Sequence, residues 1–209
     1  MIEKMSIYIL DNLLYKNEKV EGDQRDIMLF GITRIIEDVP KYSAIFLICL
    51  FLNILKEAGI VLLITILYKS FTGGAHARSN ITCFITSTIF FVTPVLLAKY
   101  IIIPQSVIYI LYGLLFIFSL YVIIKRVPAD TEEVPVINKN KRKKMRAFAT
   151  STLILIYIFV IFFLNNIIIS KLILITLFYI NLFTTKPMYR LFKCKYSYES
   201  DEFKEYFQN

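Results

Sequence analysis

The sequence predicts an all-α integral membrane protein, a polytopic bundle of about four to six transmembrane or membrane-embedded helices. Of its 209 residues 57% are apolar and the mean hydropathy is +0.62, more apolar than a soluble domain of this size. Several apolar runs approach or exceed the roughly 20 residues that carry a helix across about 30 Å of hydrocarbon. Between them, basic residues gather in short polar segments, the pattern that orients helices in a bilayer.

Taken in order, the chain divides into seven stretches of one membrane domain, 1–209. Residues 1–41 mix Lys4, Asp11, Lys16, Glu18, Lys19, Glu21, Asp23, Arg25 and Asp26 with modest apolar content, so they are expected in the cytoplasm or at the interface. No basic start, apolar run and small-residue site of a cleaved leader stands there, so retention is expected. Residues 42–68 are apolar except for Asn53 and the pair Lys56-Glu57. Three arrangements remain open for them: one tilted helix with the pair turned inward, a bent hairpin, or a preceding helix that starts near Ile27. Residues 69–80 form a polar loop. In 81–124 two helices are expected, 81–103 with Pro94 as a kink and 107–124, separated by Pro104-Gln105-Ser106. Residues 125–147 read as a basic loop, 148–183 as a second helix pair parted by the turn signal Asn165-Asn166, and 184–209 as a tail.

Charge supplies sidedness. Eight basic residues, Lys125, Arg126, Lys139, Lys141, Arg142, Lys143, Lys144 and Arg146, mark the basic loop as cytoplasmic. Counting outward places the 69–80 loop and the tail with Lys186, Arg190, Lys193 and Lys195 on the same side. The formal charge of +8 is therefore assigned to topology and anionic lipid, not to nucleic acid. Cys49, Cys83 and Cys194 are an odd number at no disulfide or metal spacing. One histidine without paired cysteines cannot close a zinc site, so neither metal nor cofactor is expected.

The segment Thr72-Gly73-Gly74-Ala75-His76-Ala77-Arg78-Ser79-Asn80-Ile81-Thr82-Cys83 holds the only histidine. Imidazole is the side chain that exchanges a proton near neutral pH. A cysteine is a nucleophile as thiolate, which a neighbouring imidazolium or a helix start favours. With Asn80 as cap, Cys83 becomes the third helical residue; Ser79 as cap moves it by one. In one straight helix residues seven apart lie about 10.5 Å apart along the axis, so His76 reaches Cys83 only from a loop outside it. Gly73 and Gly74 permit that loop to fold back, and amides of the helix start, or the Asn80 side chain, are candidates to hold an oxyanion. Taken alone, the spacing leans toward a plainer reading: an interfacial histidine and a small cysteine filling a membrane helix. Cys49 and Cys194 are assigned structural roles. Arg78, Lys141, Arg142, Lys143 and Lys144 are candidates to engage an acidic peptide, although orientation alone accounts for the basic run. Lys56-Glu57 reads at least as well as an interface break or an interior salt bridge as it does as a transport or proton-relay element.

Two motifs resemble a known family. Gly74-Ala75-His76-Ala77 followed by Cys83 is similar to the Gly-x-His-Ala segment and reactive cysteine of AgrB, the accessory gene regulator B family of quorum-sensing membrane peptidases in Gram-positive bacteria. Val127-Pro128-Ala129-Asp130-Thr131, Pro135-Val136 and the run Lys141-Arg142-Lys143-Lys144 resemble its Ala-Pro-Ala-x-Thr…Lys-Pro-Ile loop and basic run. Val127 and Val134 depart from the family's Ala and Lys. The resemblance covers essentially the whole chain. It implies a multi-pass protein of the bacterial cell membrane with its active site at the cytoplasmic face. Cys83 would cut the acidic C-terminal tail from an AgrD-like propeptide, leaving an acyl-enzyme thioester, and His76 would protonate the leaving amine. Displacement by an internal cysteine of the propeptide would give a cyclic thiolactone. The resemblance also implies a homodimer. Asp130, Glu132, Glu133 and the N-terminal acids are candidates for a third catalytic group, none singled out. A small transporter or peptide exporter, for which Cys83 is dispensable, and a noncatalytic peptide-docking partner are the competing readings.

Overall fold

The computed structural model describes residues 2–14, 22–77, 79–132 and 134–208. Among them the regular structure is helical, with isolated bridges and no strand, as an all-α membrane protein requires: in hydrocarbon a helix satisfies its own backbone. The chain forms two compact units, Met1–Asn53 and Ile54–Asn209.

In the first unit, α1 (Ile2–Ile9) runs into a π-helical turn, Leu10–Leu14, and packs on α2 (Asp23–Phe51). The Thr33 hydroxyl donates to the Ser6 hydroxyl at 2.9 Å, and Arg25 pairs with Asp11 at 3.1 Å. The change of composition near Tyr42 falls inside α2, which continues through Pro40. The helix stops at Asn53, whose φ of 54° is the left-handed conformation that asparagine tolerates after a helix end.

The second unit starts with α3 (Leu55–Ile64), which continues as a π-helical turn, Thr65–Lys69, and a single turn α4 (Ser70–Thr72). Then come α5 (Asn80–Tyr100), α6 (Gln105–Arg126), α7 (Lys139–Phe163) and α8 (Ile167–Phe183). α5, α6 and α7 are long and apolar enough to cross a membrane. With 17 residues, α8 is shorter, about 26 Å of helix against about 30 Å of hydrocarbon. It compensates by burial, packing on α3, α5, α6 and α7 with Leu172, Ile173, Leu177 and Ile180 in the core. Polar side chains tie it to its neighbours: Asn181 donates to Ser119 at 2.8 Å and accepts from Tyr68 at 3.1 Å. At its other end the Lys171 ammonium donates to the Ile101 carbonyl at 2.7 Å and so caps α5. The Lys56-Glu57 pair lies in the first turn of α3, where Glu57 meets Lys99 of α5 at 2.7 Å.

The basic residues Lys139 to Arg146, expected in a loop, are the opening turns of α7. Hydropathy marks where lipid begins, whereas the helix begins at its cap: the Asn138 side chain accepts from the Asn140 and Lys141 amides at 2.9 and 3.1 Å. The antiparallel run of α5 to α8 gathers residues 73–77, 127–132, 134–138 and the tail at one end. The tail holds α9 (Lys186–Leu191), two 3₁₀ turns and α10 (Lys204–Gln208).

Candidate active site

The glycine segment crosses this end in close contact with two other backbones. The Ala129 amide donates to Thr72 O at 2.8 Å, the Gly74 amide to Ala129 O at 2.9 Å, and the Ala75 amide to Phe183 O at 2.8 Å. Gly73 has φ +73° and Gly74 φ +143°, a region side chains avoid. A Cβ on Gly73 would stand 2.5 Å from Ala129 O, and one on Gly74 3.3 Å from Phe183 O. Glycine is thus required by approach as well as by dihedral angle. Below it, the Lys69 ammonium sits between the rings of Phe90 and Phe183, 5.1 and 5.3 Å from their centroids.

His76 follows directly, exposed and outside α5. That is the side of the helix start from which a residue seven positions before Cys83 can approach it. Ser79 is the N-cap of α5, its hydroxyl accepting from the Thr82 amide at 3.1 Å. Asn80 is therefore the first helical residue, and Cys83 the fourth. Cys83 is half-buried, and its amide donates to Ser79 O at 2.8 Å, the first bond of the helix ladder. Arg78 lies outside the described residues.

The loop from Val127 to Asn138 is organised by Asp130. One carboxylate oxygen accepts from the Val136 amide at 2.7 Å, Arg142 at 2.8 Å and the Ser197 hydroxyl at 2.6 Å. Arg142 also donates to Val136 O and Pro128 O, at 3.1 and 3.3 Å, and its guanidinium is turned toward the loop. Lys141, Lys143 and Lys144 are exposed. Glu132 stands 3.9 Å from Lys195, and Glu133 lies outside the described residues.

The tail was the part of the site that sequence reasoning missed. The Tyr189 hydroxyl donates to Ala129 O at 2.6 Å, and the Tyr196 hydroxyl to Thr184 O at 2.6 Å. Their rings stack at 3.8 Å and form a buried cluster with Ala75 and Ala129. Burial pushes both phenols above the ordinary tyrosine range. The available signal was the aromatic density of the tail, with Tyr189, Phe192, Tyr196 and Tyr198 in a stretch read for its charge alone.

Fold and site together define a helical membrane protein in which a histidine-bearing loop, tethered to the bundle end, leads into a cysteine-bearing helix start. The chain belongs to the accessory gene regulator B (AgrB) family, whose family model matches residues 2–185. It is 27% identical over 153 residues to an AgrB-like protein of Clostridium perfringens (strain SM101), covering 70% of this chain and 69% of the relative. An AgrB-like protein of Clostridium acetobutylicum is 27% identical over 133 residues, 64% of this chain and 62% of its own length. A second C. perfringens protein, from strain 13, is 25% identical over 153 residues, 70% of this chain and 69% of its own. No solved structure matches the chain. Family membership implies a part in agr quorum-sensing peptide processing, with an AgrD-like propeptide as the substrate context.

Proposed function

We propose that the chain is a membrane cysteine endopeptidase that cuts the C-terminal tail from an AgrD-like propeptide, with Cys83 as nucleophile and His76 as proton carrier. The observation that carries this reading is the placement of His76: it sits on a segment whose Gly74 and Ala75 amides are tied to fixed carbonyls, directly before the capped turn that holds Cys83. A base on so short a tether to the nucleophile's turn would supply the proximity that this chemistry needs.

In the reaction, the Cys83 thiol passes its proton to His76 and the sulfur attacks the scissile carbonyl. The tetrahedral intermediate collapses as His76 returns the proton to the departing amine, which leaves on the acidic tail. The peptide remains as a thioester on Cys83. A thiol within the propeptide then displaces the enzyme sulfur, giving a cyclic thiolactone and restoring the Cys83 thiol. Thioester exchange preserves acyl activation, so a membrane-bound, water-poor surface suits it.

The cytoplasmic face is the proposed location. The end that carries His76 also carries Lys125, the opening turns of α7 and the basic tail, whereas at the opposite end Lys99 is paired with Glu57 and Lys171 caps α5. That bias is the one that retains a bundle end in the cytoplasm. The exposed Lys141, Lys143 and Lys144 are proposed to engage anionic lipid and the acidic segment of the substrate, while Arg142 serves the loop. The test is co-expression of a candidate propeptide with the wild type, Cys83→Ser and His76→Ala, read by mass spectrometry. Cut peptide and acyl-enzyme are expected for the wild type alone; undiminished cutting by Cys83→Ser overturns the mechanism.

A further inference from the structure

We propose that the C-terminal tail, residues 186–208, is a clasp that positions His76, and that Tyr189 is its principal positioning residue. This rests on the reading of His76 and Cys83 given above. The tail lies beyond residues 2–185 that match the family, so that match assigns it no role.

The segment before His76 hangs on two carbonyls, Ala129 O and Phe183 O, which accept from Gly74 and Ala75. The tail grips the chain at both. At the first, the Tyr189 hydroxyl donates to Ala129 O at 2.6 Å and lies 3.2 Å from Asp130 O. Ala129 O therefore receives two donors, one from the tail and one from the histidine segment, which engages both lone pairs and fixes its direction. At the second, the Tyr196 hydroxyl donates at 2.6 Å to Thr184 O, one residue after Phe183. The two phenol rings lie 3.8 Å apart at 12° and pack with Ala75 in one buried cluster. Ser197 fastens the same tail to the Asp130 carboxylate at 2.6 Å. His76 follows Ala75 directly in the chain, so a shift of Ala75 moves the backbone that carries the imidazole. A buried hydrogen-bonded network of this kind rigidifies what it holds.

Replacing tyrosine by phenylalanine removes the hydroxyl and keeps the stacked ring. The experiment uses the full chain in lipid nanodiscs and compares the wild type, Tyr189→Phe, Tyr196→Phe and His76→Ala. One readout is hydrogen exchange of the peptide covering residues 73–77. The other is the rate of iodoacetamide alkylation at Cys83, resolved by mass spectrometry, which needs no cognate peptide. Exchange is expected to quicken about tenfold in either phenylalanine variant, as loss of a buried hydrogen bond implies. Alkylation is expected to slow roughly threefold or more, toward the His76→Ala rate. Exchange unchanged in both variants overturns the clasp. So does faster exchange with alkylation at the wild-type rate, because the tail would then hold the loop without serving the histidine. If His76→Ala itself alkylates like the wild type, the histidine–cysteine reading fails, and that variant alone reports it.

Discussion

Gly73 shows how one missing side chain can determine a local path. A methyl there would meet Ala129 O at 2.5 Å from a backbone at φ +73°, so Gly73→Ala is expected to cost about 2–3 kcal/mol, the sum of dihedral strain and a backbone shift. Gly113 in α6 has open space around it, and Gly113→Ala is expected to be neutral or to stabilise by up to about 1 kcal/mol. Thermal unfolding of both variants in detergent checks the contrast. Asp130 is the second informative residue: its side chain is 3% exposed and faces Arg142 at 2.8 Å. Removing one member of a buried pair strands the other charge, so Asp130→Ala is expected to lose about 3 kcal/mol, seen as a lower denaturation midpoint. His76 and Cys83 stood out in the sequence because histidine occurs once and few side chains are nucleophilic. Asp130 did not, because its importance comes from partners far along the chain, Arg142 and Ser197, that no local pattern announces.

Among the elements, α5 has the most direct bearing on the site. Its first turn carries Cys83, and its start is defined by the Ser79 cap. Ser79→Ala is expected to cost about 1 kcal/mol and Ser79→Asp to recover most of it; faster hydrogen exchange over residues 79–84 in the alanine variant, absent in the aspartate variant, is the measurement. The apolar helices were legible because lipid imposes a length and a composition on whatever crosses it. Their ends were less so. α7 begins at Lys139, in residues whose charge masks their helical preference, since lysine and arginine are good helix formers that only hydropathy excludes. In the 42–68 stretch, the division into α2 and α3 comes from a backbone turn at Asn53, and the polar pair that drew attention lies just after it.

On the scale of the whole second unit, the membrane helices supply the frame, and the polar end supplies the site. The tail was legible as charge but not as structure, because its contacts are stacked tyrosines and hydroxyl-to-carbonyl bonds without period. Those phenols carry a pH dependence. Burial raises the Tyr189 and Tyr196 pKa values in the folded protein, so the stability they confer is fully present below the ordinary tyrosine value of about 10. It is lost as pH rises beyond that value, where the unfolded chain ionises and the folded one resists. The melting temperature is expected to fall more steeply above about pH 10 in the wild type than in the Tyr189→Phe, Tyr196→Phe double variant; a parallel fall in both would contradict it. The tethering of Ala75 to Phe183 also has a consequence in time. The ribosome makes His76 and Cys83 early and the Phe183 carbonyl only at the end of α8, so a nascent chain carries the glycine segment long before it can form this tether. Synthesis itself thereby delays the closing of this end of the bundle until α8 has been made.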